Sequence, residues 1–138
     1  VARRREHGAA VTDTHPLIYH AGGGHHLSAS AASFFNRCER REAILYVPAA
    51  VIWECSLLVR VGRIRLRGKV REFFDDLFSN TAYQPMDLQA EQIYLADERP
   101  VGRDPFDGLI VAAAKAAGLP LITRDTAITE SGSVETIW

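Results

Sequence analysis

At 138 residues, with 47% hydrophobic content and a net charge of −1, the chain has the size of one ordinary domain and enough apolar side chains to build its core. No apolar run approaches the roughly 18–20 residues of a membrane span, and VARRREHGAAV carries no signal-peptide-like apolar segment, so a soluble, cytoplasmic protein is expected. Charge is uneven: residues 1–69 hold 11 Lys/Arg against 5 Asp/Glu, and residues 70–138 hold 5 against 12. Such a split can set a basic surface beside an acidic pocket, or simply spread charge over solvated faces.

Short apolar runs alternate with longer amphipathic ones, which is an α/β rhythm. In chain order the pattern predicts a strand at Ala9 to Asp13 and helices at Thr14 to His20 and Ser28 to Arg41. A strand at Ile44 to Val47 follows, then helices at Ala49 to Val61 and Gly68 to Ser79. AYQPM, Ala82 to Met86, is a weaker strand. Helices at Leu88 to Asp97 and Pro105 to Ala117, then strands at Leu119 to Thr123 and Val134 to Trp138, complete the series. Pro85 and Pro120 suit edge or strand-start positions. The long interval between the first two strands leaves room for crossover helices. The expected fold is therefore α/β, three layers deep, with a mostly parallel central sheet. Cys38 and Cys55 have neither CxxC nor Cys/His zinc spacing and read as free buried thiols.

Four acids stand at element ends or on an apolar stripe. Asp13, in VTDTHPLIYH, falls where a strand stops and a helix starts; this suits a helix cap, and also suits a ligand site at the carboxyl end of a parallel sheet. Glu54 falls inside the stripe formed by Ala50, Trp53, Leu57, Leu58 and Val61. A buried carboxylate there must be protonated, paired with a cation such as Arg60 or Arg124, or bound to metal. In RDPFDGLIVAAAKAAG, Asp104 and Pro105 make a good cap and first turn, and Asp107 can complete the capping arrangement, but this accounts less well for Asp107, which opens a helix that is apolar nearly all round. Asp125 follows the next strand, in TRDT, where turn chemistry alone could place it. Gathered together, four carboxylates would repel one another, and a hard divalent cation with oxygen ligands, Mg²⁺ or Mn²⁺ rather than zinc, would relieve them. Such a site can activate water against a phosphodiester.

TDTHPLIYH, VPAAVIWECSLLVRVGRI and RDPFDGLIVAAAKAAGLPLITRD, in that order and spacing, resemble the PIN-domain nucleases, in particular the VapC-like toxins of type II toxin-antitoxin pairs. The resemblance covers nearly the whole chain from about Ala9. It implies a PIN-like α/β/α fold and a Mg²⁺- or Mn²⁺-dependent ribonuclease whose metal-binding and catalytic quartet is Asp13, Glu54, Asp107 and Asp125. Asp104 would be an accessory acid, and Thr123 a hydroxyl near the last acid. It also implies an RNA substrate, a cognate antitoxin and a homodimer. Tyr19 stands where similar toxins often have Trp, and Gly108 where they often have a larger residue. The leading VARRREH lies outside the resemblance, so residues 1–8 are expected to be a disordered basic arm or a start-site artefact, and residues 9–138 a single PIN domain.

Arg60, Arg63, Arg65 and Arg67, in RVGRIRLRGKVR, could bind RNA phosphates, form a solvated face, or receive an acidic antitoxin segment. Phe73, Phe74, Leu77 and Phe78 make a stripe most simply read as core, and alternatively as part of a dimer or antitoxin groove. The five histidines show no HExxH or other metal spacing. A phosphatase or receiver domain is discounted, because DTH lacks the second Asp of a DxD pair and no Lys follows the last apolar strand. Two other readings stay open: a PIN nuclease that processes RNA without an antitoxin, and a non-catalytic PIN-like binding module whose acids only cap helices and form salt bridges.

Overall fold

The computed structural model describes residues 7–138. Most of the basic arm, residues 1–6, lies outside the described residues. The elements run β1 (Ala9–Thr12), α1 (Thr14–Ala21), α2 (Ala29–Glu39), β2 (Ile44–Pro48), α3 (Ala49–Arg60), α4 (Val70–Phe78), β3 (Tyr83–Met86), α5 (Ala90–Glu98), α6 (Pro105–Ala117), β4 (Leu121–Ile122), α7 (Thr126–Ser131) and β5 (Thr136–Ile137). The strands form one sheet in the order β3-β2-β1-β4-β5, every pair parallel. The weak strand AYQPM is real and sits at an edge, where Pro85 costs no ladder hydrogen bond in the interior of the sheet.

Both sheet faces are covered, so β1 is apolar almost throughout: Ala10 and Val11 are fully buried, as are Leu45 and Val47 of β2 and Leu121 and Ile122 of β4. On the helices, Leu17, Phe35, Val51 and Ile110 complete this core. Burial of such side chains contributes roughly 1.5–3 kcal/mol each. Helix α6 packs on α3, α5 and β1, and its alanines allow the close approach. At Gly108 a Cβ would lie 3.5 Å from the Cβ of Ala96 on α5, so the small residue keeps the two helices in contact. Cys38 and Cys55 are free and fully buried, and burial pushes each thiol up to about 12, which leaves them unreactive at neutral pH.

Two expectations need correction. The buried face of α3 is centred on Ala50, Val51 and Cys55; Trp53 is 50% exposed and Val61 69% exposed. Trp53 lies two residues, about 200°, from Val51, so the helix is rotated relative to the stripe read from the sequence. Helix α7 is not among the helices expected from the sequence, because TAITES is short and carries no helical stripe; Asp125, expected in the acidic quartet, also caps it. The stripe of α4 is core at Phe74, with Phe73, Leu77 and Phe78 partly buried around it.

Candidate active site

The second strand lies on one side of β1 and the fourth on the other, so the chain reverses its winding direction at β1, and the carboxyl ends of β1 and β4 form the switch point at which open parallel sheets bind ligands. Asp13 follows β1 directly and is 8% exposed. Its backbone N–H donates to the Ile122 carbonyl at 2.9 Å, which ties it to β4. Oδ1 accepts from the Thr14 N–H at 2.8 Å, capping α1, and Oδ2 accepts from the Thr123 hydroxyl at 2.7 Å. The same Thr123 oxygen accepts from the Asp125 N–H at 3.0 Å, so one hydroxyl fixes Asp13 and orders the backbone that carries Asp125.

Asp125 caps α7 through a bond from the Ile128 N–H to Oδ1, 3.0 Å. Asp104 caps α6 by accepting from the Phe106 N–H at 2.8 Å and is exposed. Glu54, half-buried on α3, accepts from the Thr14 hydroxyl. Neither arginine considered for it is used in that way: Arg60 lies over the Trp53 ring at 5.3 Å and Arg124 over the Tyr19 ring at 5.1 Å. Thr14 was missed by the sequence reading. The signal was present, since a hydroxyl residue directly after a capping Asp begins a helix at the site and can face a second acid.

Asp107, half-buried in the first turn of α6, receives no hydrogen bond among the described residues. Its carboxyl is pushed up to about 7, first by burial and then by the negative charges of Asp104, Asp13, Asp125 and Glu54. Asp13 is raised by burial, against the hydrogen bonds from Thr123 and Thr14, with Asp125 adding repulsion. Glu54 is raised by burial, with Asp104 and Asp13 adding to it. The other four acids therefore all lie within electrostatic reach of Asp107, and Asp13 also within reach of Glu54 and Asp125. By contrast, no contact among the described residues joins Arg63, Arg65 or Arg67 to them. Arg65 and Arg67 instead line a cleft of about 1070 Å³ between α1 and α4, with Leu17, Ile64, Phe73 and Leu77 among its walls.

An all-oxygen set of mutually repelling carboxylates, with burial on one side, fits a hard divalent cation in donor type. Among the described residues no three Asp, Glu, His or Cys side chains are gathered tightly enough to be a complete protein-only ligand set. A cation held here would take one or two carboxylates directly and keep part of its water shell, a mode open to Mg²⁺. Asp13, Glu54, Asp107 and Asp125 are the residues that could hold it.

The family model of the PIN domain matches residues 10–132. Solved structures with the same fold include VapBC2 from Rickettsia felis bound to a promoter DNA fragment, at 14% identity and TM-score 0.62, covering 93% of this chain and 96% of that one. FitAcB from Neisseria gonorrhoeae is similar at 18% identity and TM-score 0.57, covering 92% and 95%. A toxin-antitoxin complex from Klebsiella pneumoniae is similar at 19% identity and TM-score 0.52, covering 85% and 87%. No curated protein matches the chain. With the five-stranded parallel sheet and a family match over most of its length, the chain belongs to the PIN-domain family.

Proposed function

We propose that this PIN domain is a Mg²⁺- or Mn²⁺-dependent endoribonuclease and the toxin of a toxin-antitoxin pair. The observation that carries the reading is the convergence on Asp107: Asp13, Glu54 and Asp125 from separate parts of the chain, together with Asp104 at the start of the same helix, act on a carboxyl that receives no hydrogen bond among the described residues. PIN domains are generally nucleases, and the structural neighbours come from toxin-antitoxin complexes. A bound divalent ion would supply charge neutralisation at the phosphate and lower the pKa of a water so that it gives up a proton and becomes a nucleophile.

The residues divide the work. Asp13, clamped from both oxygens by Thr14 and Thr123, is the fixed ligand position. Thr123 sets the distance between Asp13 and the Asp125 backbone. Thr14 orients Glu54, and Asp107, held by no donor among the described residues, is free to take up a cation or to receive a proton. Asp104 adds negative charge at the mouth. The cleft sets apolar walls beside both Arg65 and Arg67 and Glu39, Glu72 and Asp76, which supports an amphipathic partner segment, as an antitoxin's would be. A homodimer is part of the same proposal.

One observation favours the non-catalytic module: Asp13, Asp104 and Asp125 each cap a helix. Glu54 and Asp107 cap nothing, which is what a purely structural account leaves over. Calorimetric titration of Mn²⁺ into the full chain separates the two. Uptake that is lost in Asp107→Asn supports the nuclease reading; no carboxylate-dependent uptake at millimolar metal rejects it.

A further inference from the structure

Beside the acidic crevice, four side chains that the proposed chemistry does not use meet around one ring. His15 and Tyr19 lie one turn apart on α1, on the same face, with ring centroids 6.1 Å apart. After α1 the chain reverses through Gly22, Gly23 and Gly24. Gly23 and Gly24 have φ of 103° and 82°, a conformation open to glycine, and the Gly24 N–H donates to the Tyr19 carbonyl at 2.7 Å. This reversal returns His26 to Tyr19, ring centroids 5.1 Å apart. From the other side of the crevice Arg124 places its guanidinium 5.1 Å from the centre of the same ring.

The cluster is tied to the acids at both ends. His15 is two residues from Asp13, and Arg124 lies between Thr123, which donates to Asp13, and Asp125. His15, His26 and Arg124 are exposed, and Tyr19 is partly so. Three separate chain segments thus build a cationic and aromatic rim next to a site whose own charge repels phosphate. Core packing does not require such a rim, because none of the three exposed members fills a buried space.

We propose that Tyr19, framed by Arg124, His26 and His15, is a platform on which an unpaired base of single-stranded RNA stacks beside the scissile phosphate, with Arg124 also meeting the backbone. The proposal rests on the nuclease reading and names the side chains that would hold a base beside the cut. Aromatic rings and guanidinium planes bind bases by stacking, which tolerates any sequence, whereas a duplex keeps its bases covered. The crevice then selects for unpaired strands by the position of this ring.

The test is binding of a short single-stranded RNA carrying 2-aminopurine to the full chain in EDTA, where no cut occurs. The wild type is expected to bind and to quench the fluorescence, and a duplex of the same sequence is not. Tyr19→Leu, which keeps apolar volume without the ring, is expected to weaken binding about 5- to 100-fold and to abolish quenching, with Tyr19→Phe restoring both. Should Tyr19→Leu fail to fold, Arg124→Gln carries the test: weaker binding, with a salt dependence lower by about one charge. Wild-type binding that neither substitution changes overturns the platform and leaves the nuclease reading standing. A wild type that binds no RNA in EDTA also overturns the platform, and the nuclease reading then stands or falls on cleavage with Mn²⁺ or Mg²⁺.

Discussion

Two polar clusters are set into the same sheet, and they differ in how their charges are satisfied. Below α1 and α2, the Tyr83 hydroxyl donates to Glu39 Oε2 at 2.5 Å and lies 3.2 Å from His20 Nε2, while His20 stacks on Phe35 with ring centroids 4.5 Å apart. That group joins β3, α1 and α2, pairs one carboxylate with one hydroxyl and one imidazole, and reads as structure. At the carboxyl ends of β1 and β4, five acids share a few hydroxyl and backbone donors, and Asp107 has none among the described residues. A cluster that stabilises a fold matches donors to acceptors; the surplus of carboxylates here is what supports the proposed cation site.

The contrast breaks most sharply at Asp107. Asp107→Asn is expected to lower metal-dependent RNA cleavage by about 100-fold or more, since even supporting residues of metal sites commonly cost 10- to 100-fold. The same variant is expected to melt higher than the wild type in EDTA at pH 8, because it removes the repulsion. A rate fall accompanied by loss of stability would return Asp107 to the structural class. Thr123→Val is next: losing the hydroxyl that serves both Asp13 and Asp125 is expected to lower cleavage about 10- to 100-fold, and the unsatisfied Asp125 N–H to cost about 1–3 kcal/mol in denaturant unfolding.

In the satisfied cluster the expectation is reversed. Tyr83→Phe removes one hydrogen bond to Glu39 and is expected to cost about 1 kcal/mol of stability in urea, with cleavage per folded molecule unchanged. A large loss of activity there would erase the distinction between the clusters. The smallest effect is one of pH. Asp107 is raised in the folded state to about 7 from 3.8, so between those values the native protein binds the extra proton. Its contribution to stability is full below pH 4 and is lost as pH rises towards 7. With the group only half-buried, the change is on the order of 1 kcal/mol, readable as metal-free unfolding at pH 4.5 and pH 7.5, and absent in Asp107→Asn.

Much of this was legible in the sequence, for a physical reason. Strand runs and caps are local signals, so ILYV and the Asp104–Pro105 helix start could be found within one or two residues, and all five strands were found. The acids stood out because each interrupts such a signal. What the sequence withheld depends on rotation and on distant partners. The face that α3 turns inward is decided by packing against α1 and α6, so Glu54 came out half-buried against the Thr14 hydroxyl, with Trp53 outside. The arginines found aromatic rings through contacts between residues 7 positions apart in one case and 105 in the other. Tyr19 was visible as a departure from the family's usual Trp, but only the glycine reversal shows that a histidine returns to it.

The central claim, that the surplus acids exist for metal-dependent cleavage of RNA, is met most directly by one assay. A mixed panel of tRNA, ribosomal RNA fragments and messenger RNA is incubated with the full chain and Mn²⁺ or Mg²⁺, beside an EDTA control and the Asp13→Asn protein. The account expects discrete cuts that need the metal and disappear with Asp13→Asn. Cuts that persist in EDTA or in Asp13→Asn, or a panel left intact by a wild type that also takes up no metal, would contradict it.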